Sequence, residues 1–179
     1  MSFNKVAVLF RANTQANAIE LRLREAEIPY RVVGSRSLFD RRECRDLIAF
    51  LKVIANPMDD GALLRIINTP PRGIGRGTQD KLMAAAVSNK RGTLDEILSG
   101  SLESELTPKI GRALLDFREI MSSTKRILEE GHLGDGIEHL LREISYQDYL
   151  NIDADDPQDA LIRWNVLTQI VELAREFEA

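Results

Sequence analysis

Two clusters of residues have the types and the spacing to meet a phosphate. The first is Arg72-Gly73-Ile74-Gly75-Arg76-Gly77-Thr78. Gly73 and Gly75 permit a positive φ and a close approach of backbone to ligand. Successive N–H groups then face one anion, helped by the N-terminus of the helix that follows. Arg72 and Arg76 add charge, no acid lies in the stretch, and Ile74 is placed to tuck beneath it as an anchor. A loop of this kind holds DNA backbone without reading bases. The plainer alternative is an ordinary glycine turn, which gives the flanking arginines no purpose. The second cluster is Arg11-Ala12-Asn13-Thr14-Gln15, at the end of a strand-like run and the start of a helix. Ligands of open α/β sheets bind outside the carboxyl ends of strands. Arg11 suits a phosphate there, and Asn13 and Gln15 suit a nucleotide. A helix cap with surface polar residues accounts for the same cluster equally well.

Other chemistries find no support. The sequence has no Gly-x-x-x-x-Gly-Lys-Ser/Thr loop and no Gly-x-Ser-x-Gly elbow. The single cysteine, Cys44, excludes an internal disulfide and a multi-cysteine metal site. It shares an apolar stripe with Leu47 and Ile48, so it reads as core, and a reducing cytoplasm is the expected setting. His132 and His139 are seven residues apart without further metal ligands nearby and read as surface residues. Asp153, Asp155 and Asp156 lack the glycine and later glutamate of a calcium loop and read as a linker with a helix cap.

The elements that must position these clusters are mostly helical. Lys5 to Phe10 and Tyr30 to Val33 read as short strands around a helix on Ala18, Leu21 and Ala26, running through Glu27 and closed by Ile28-Pro29. This β-α-β piece is too small to bury its own faces and exposes strand edges, which invites self-association. From Leu38 onward the pattern is helical. Leu47, Ile48, Leu51 and Ile54 form one stripe, and Asp59-Asp60 opens a helix with Leu63, Leu64, Ile66 and Ile67. Thr78 and Thr93 are expected to cap the next two helices, and Thr107-Pro108 and Asp156-Pro157 give cap-proline signals for two more. Ile110, Leu114, Phe117, Met121 and Leu128 line one long helix; Ile137, Leu140, Leu141 and Ile144 a shorter one. Leu161, Trp164, Leu167, Ile170, Val171, Ala174 and Phe177 line the last, and the chain stops inside it, as a piece of a longer protein would. The fold class expected is therefore mainly α: residues 1–36 as the β-α-β piece and residues 37–179 as a helical domain.

Composition sets the partners. Of 179 residues, 44% are hydrophobic and 29% charged, with a net charge of −4. Residues 1–100 carry 16 Lys and Arg against 11 Asp and Glu, whereas residues 101–179 carry 8 against 17. Local potential decides phosphate binding, so an acidic total leaves DNA open as a ligand of the basic half. No apolar run approaches the roughly 18 residues of a membrane span, and the first residues show no signal peptide.

At the two phosphate clusters the sequence resembles the C-terminal half of the UvrD/Rep/PcrA-like superfamily 1 DNA helicases. The resemblance rests on four ordered blocks. Arg11, Asn13, Gln15 and Glu20 form the first; Ile28, Pro29, Tyr30 and Gly34 the second; Phe39, Arg41, Glu43 and Asp46 the third. The fourth runs through Ala55, Asn56, Pro57, Asp59, Asp60, Arg65, Ile66, Ile67, Asn68, Pro70, Arg72, Gly73, Ile74 and Gly75. Tyr146 to Leu150 resembles the Rep-like members. Ser35, Leu38 and Cys44 depart from the usual pattern, and Ser37 stands where several members place a basic DNA contact. The resemblance implies that residues 1–36 begin the second RecA-like motor domain, 2A, and that residues 37–179 form the helical 2B domain. It implies single-strand DNA contacts by Arg11, Asn13 and Gln15, and duplex contacts by Arg72, Gly73, Ile74, Gly75, Arg76 and Thr78. The parent would be an ATP-driven 3′ to 5′ helicase using ATP and magnesium. This chain, without a P-loop, would hold no cofactor and hydrolyse nothing; its partners would be DNA and the rest of the motor. A regulatory protein-interaction module with negligible DNA binding of its own is the alternative.

Overall fold

The computed structural model describes residues 6–10, 13–32, 40–100 and 106–178. Contacts divide the chain into two units at Arg45/Asp46; the boundary expected after residue 36 falls outside the described residues.

In the first unit, Asn13–Glu25 forms α1. It buries Ala16, Glu20 and Leu21, while Ala18 and Ala26 of the expected stripe are exposed. The helix stops two residues before the position expected from Pro29. Glu27 adopts a left-handed φ of 52°, and the Ile28 N–H reaches back to the Leu23 carbonyl at 2.8 Å, a helix-ending turn that satisfies a last carbonyl. No strand forms among the described residues, so the expected β-α-β piece is not seen. A strand exists only with a ladder partner, and residues 6–10 and 28–32 have none there. Val6, Val8 and Leu9 are 51%, 54% and 95% exposed.

The second unit is helical. After α2, Arg42–Ala55, which crosses the boundary, come α3 (Asp60–Ile66), α4 (Arg76–Ser88) and α5 (Thr93–Ser99). They are followed by α6 (Pro108–Glu129), α7 (Leu133–Glu143), α8 (Tyr146–Asp153) and α9 (Pro157–Glu178). α7 packs on both α6 and α9, and α9 also meets α8. The core is continuous from α2 to α9 through Phe50, Leu63, Ile66, Leu82, Phe117, Leu140, Leu150 and Leu167. Each fully buried aliphatic or aromatic side chain contributes about 1.5–3 kcal/mol. The stripe of α9 frays at both ends: Leu161 is 50% and Phe177 86% exposed.

Caps fix the boundaries. The Asp59 carboxylate accepts from the Ala62 N–H at 2.9 Å, and the Asp156 carboxylate from the Asp159 N–H at 2.8 Å, as the sequence signals require. Thr107 precedes Pro108 at the first turn of α6. Two expected caps move. α4 begins after Gly75 rather than Thr78, and α5 after Gly92 rather than Thr93. Both threonines lie inside their helices and are buried. Their methyl groups suit an apolar face, and glycine takes the extended cap conformation as readily.

Two polar knots cross-link helices α2, α3, α5 and α8. Asp46 of α2, almost wholly buried, accepts from Arg65 of α3 at 2.6 Å and from the Tyr146 hydroxyl of α8 at 2.8 Å. The Asp60 carboxylate accepts from the Thr93 N–H at 3.0 Å, tying α3 to α5. At the far end of α9, Arg175 meets Asp135, Glu138 and Glu172, which hold its pKa above the ordinary range. Glu178 accepts from the N–H groups of Leu133 and Gly134, closing the N-terminus of α7.

Candidate nucleic-acid interface

The segment 68–79 joins α3 to α4, and its own side chains set its path. Asn68 Oδ1 accepts from the N–H of Arg72 at 2.7 Å and of Ile74 at 3.2 Å, drawing the chain into a tight arch. Gln79, on the first turns of α4, donates its side-chain amide to the Ile74 carbonyl at 3.0 Å. Ile74 is fully buried beneath the arch, the anchor that the sequence suggested.

Arg72 does something its position in the sequence does not show. Its Nη1 lies 3.0–3.4 Å from four carbonyl oxygens, those of Ile66, Ile67, Thr69 and Pro70. The guanidinium carbon sits 5.3 Å from the centre of the Phe117 ring. The side chain thus serves the carbonyls left open at the end of α3 and stacks on α6. Burial pushes its pKa down to about 10, which leaves it charged at neutral pH. Arg76, by contrast, is exposed.

The two glycines differ as well. Gly73 has φ +76°, a conformation that side chains rarely adopt. Gly75 has φ −75° and ψ 171°, ordinary extended backbone, and a Cβ there would meet, beyond its chain neighbours, no atom of the described residues within 4 Å. Gly75 is therefore not needed for the turn. What remains open is a set of amides. The N–H groups of Gly73, Arg76 and Gly77 have no acceptor among the described residues, and no side chain caps α4. They sit at a helix N-terminus, where partial positive charge accumulates. Thr78 is buried within the first turn of α4, so, like Ile74, it is a residue expected to face a duplex that the fold turns inward.

The chain matches the model of the UvrD-like helicase C-terminal domain over residues 1–178. It belongs to that family. It is 33% identical over 179 residues to the ATP-dependent DNA helicase UvrD1 of Mycobacterium tuberculosis, covering 99% of this chain and 23% of that protein. It is 32% identical over 168 residues to the ATP-dependent DNA helicase Rep of Salmonella typhimurium, covering 94% and 25%. It is 28% identical over 176 residues to the ATP-dependent DNA helicase PcrA of Staphylococcus epidermidis, covering 98% and 24%. The chain thus spans about a quarter of the length of these relatives.

Several of the residues that carry the family resemblance hold the fold together: Asp46 and Arg65 in one knot, Asp60 in the other, and Asn68 and Arg72 in the arch. Sequence reasoning missed the roles of Asn68 and Gln79; the signal for Asn68 was its place four residues before Arg72, where a short side-chain acceptor bonds nearby amides. Of the other cluster, Arg11 lies outside the described residues. Asn13 is the first residue of α1, and Gln15 is exposed two residues on. His132 is exposed at the N-terminus of α7, and His139 meets Ser123 at 2.9 Å and Arg142 at 3.1 Å. Among the described residues, no three His, Cys, Asp or Glu side chains group as a metal ion would require. No described helix is long and apolar enough to cross a membrane.

Proposed function

We propose that this chain is the DNA-gripping part of an ATP-dependent 3′ to 5′ DNA helicase. Its residues 72–78 hold the backbone of the duplex, and Arg11, Asn13 and Gln15 touch the single strand. The observation that carries the reading is the row of open amides at Gly73, Arg76 and Gly77 on an arch fixed from within, beside the exposed Arg76. A phosphate brings the acceptors these donors lack. Gly75 supports the same reading: the fold leaves its Cβ position empty, so a glycine there serves an approaching ligand. Arg72 shapes the loop as well as charging it. Residues 1–36 are the opening of a RecA-like domain whose ladder is completed by the rest of the motor, and residues 37–179 form the 2B domain. ATP and magnesium act elsewhere in the parent, since the P-loop sequence is absent here.

The test is fluorescence anisotropy of a labelled DNA hairpin against salt, on folded variants. Binding is expected on the roughly 10⁻⁴–10⁻⁶ M scale of nonspecific contacts and to weaken as salt rises. Arg76→Ala lowers the salt slope by about one unit. Gly75→Val keeps the fold and loses affinity. Equal binding by the wild type and a folded Gly75→Val chain would reduce the arch to a turn between helices.

A further inference from the structure

A groove of about 750 Å³ opens between the strap Pro70-Pro71-Arg72, α6 and the α7–α8 junction. Its floor is apolar: Ile120, Ile144 and Tyr149, with Ile152 standing 85% exposed at its side. Its rim is acidic. Asp116, Glu143, Asp148 and Asp153 line it against a single cation, Arg72, whose Nη1 is turned to backbone carbonyls. Asp116 pairs with the exposed Arg112 and Glu143 with the exposed Arg142; Glu143 also lies 3.9 Å from His139, and Asp153 is held by Arg163 at 3.1 Å. The exposed pairs contribute little and yield to an incoming cation. Asp148 is exposed and has no ion pair or hydrogen bond among the described residues. Asp148 and Ile152 are four residues apart on α8, so they share one face about one turn apart.

This chemistry selects the occupant. Asp153 is already held by Arg163, so the charge open to a ligand is that of the unpartnered Asp148, with Asp116 and Glu143 in exposed pairs beside it. These carboxylates disfavour nucleic acid and anionic lipid, and charge complementarity favours a cation. The exposed isoleucine beside the unpartnered carboxylate asks for an apolar group next to that cation. We propose that the groove docks a short basic segment of a partner protein. Its Lys or Arg side chains meet Asp148 and Glu143, and an adjacent apolar side chain covers Ile144, Tyr149 and Ile152. The groove shares Arg72 with the arch, but the open amides of Gly73, Arg76 and Gly77 are not among its lining residues, so the proposal does not depend on those amides binding DNA.

The experiment uses the full chain and a fluorescein-labelled synthetic peptide of about twelve residues, alternating Arg and Leu, the length of a typical docked segment. A matched peptide with Glu in place of Arg is the control. The Arg peptide is expected to bind and the Glu peptide not to. Asp148→Lys places like charges together and weakens binding about ten-fold or more. Ile152→Ser weakens it about three-fold by removing apolar contact. Both positions are exposed, and a thermal melt confirms each fold. Glu129→Lys makes the same charge change outside the lining and is expected to stay within about two-fold, the range of a remote screened charge. Equal loss from Glu129→Lys and Asp148→Lys, or no loss from Asp148→Lys, would show a diffuse acidic surface and overturn the proposal. Sedimentation of the chain alone supplies a further check: a dimer abolished by Ile152→Ser would give the groove to a second copy and overturn it as well.

Discussion

The arch at residues 68–79 holds the cluster expected to meet a duplex, and the N-terminal stretch at residues 6–10 was expected to be the strand leading into the other cluster; the two are built in opposite ways. The arch carries its own order. Asn68, Arg72 and Gln79 satisfy its backbone from within, and Ile74 fastens it to the core. The N-terminal stretch turns Val6, Val8 and Leu9 to solvent and has no ladder partner among the described residues. A loop closed by local hydrogen bonds is specified by a dozen neighbouring residues. A strand of a parallel sheet is specified by its neighbours in space, so a short length of sequence writes it without being able to form it.

The sharpest break in this comparison comes from side-chain truncation. Ile74→Ala is expected to lower the unfolding free energy by about 2–5 kcal/mol, as deletions of buried aliphatic groups do. Leu9→Ala should stay within about 0.5 kcal/mol. Urea denaturation of both variants checks this, and similar losses at the two sites would erase the contrast.

Next in size is Arg72. Arg72→Ala leaves several carbonyls short of a donor and is expected to cost about 1–3 kcal/mol. Arg72→Lys keeps the charge but not the flat fork that stacks on Phe117, and should recover little of that loss. If Arg72 served only a phosphate, both variants would melt like the wild type.

The two glycines give a smaller difference. Gly73→Ala forces a side chain into a left-handed conformation and is expected to cost about 1–2 kcal/mol. Gly75→Ala should leave stability within about 0.5 kcal/mol while weakening hairpin DNA binding. A thermal melt beside the anisotropy titration separates the two. The smallest effect expected is at His132. His132→Ala should change neither stability nor DNA binding, and a loss of binding there would move the interface to the N-terminus of α7.

What could be read from the sequence follows the range of the interactions involved. Asp59 and Asp156 mark helix starts because a cap acts over three residues, Pro108 marks one because proline suits a first turn although the Thr107 side chain makes no cap bond, and Leu47, Phe117 and Leu140 mark core because periodicity is local. Ile74 was legible as an anchor by its place between glycines. The helix α8 was not, since it follows a left-handed Ser145 and is only 8 residues long. Thr78 misled because threonine is both a good cap and a tolerable buried residue, and Gly75 took the cap. Arg72 misled for a different reason: its direction is set by the carbonyls that close α3 together with Phe117, which lies on another helix and far along the chain. Residue type and spacing gave the charge without its orientation.

The internal bracing of the arch also fixes how its association with an anion should appear in a calorimeter. No chain has to be ordered on contact, and the open amides lie on exposed backbone where little apolar surface is covered. The enthalpy of binding should then hardly vary with temperature, giving a heat-capacity change near zero, whereas a segment that folds onto its ligand gives a large negative one. The entropy gained would come from ions leaving the DNA rather than from the protein.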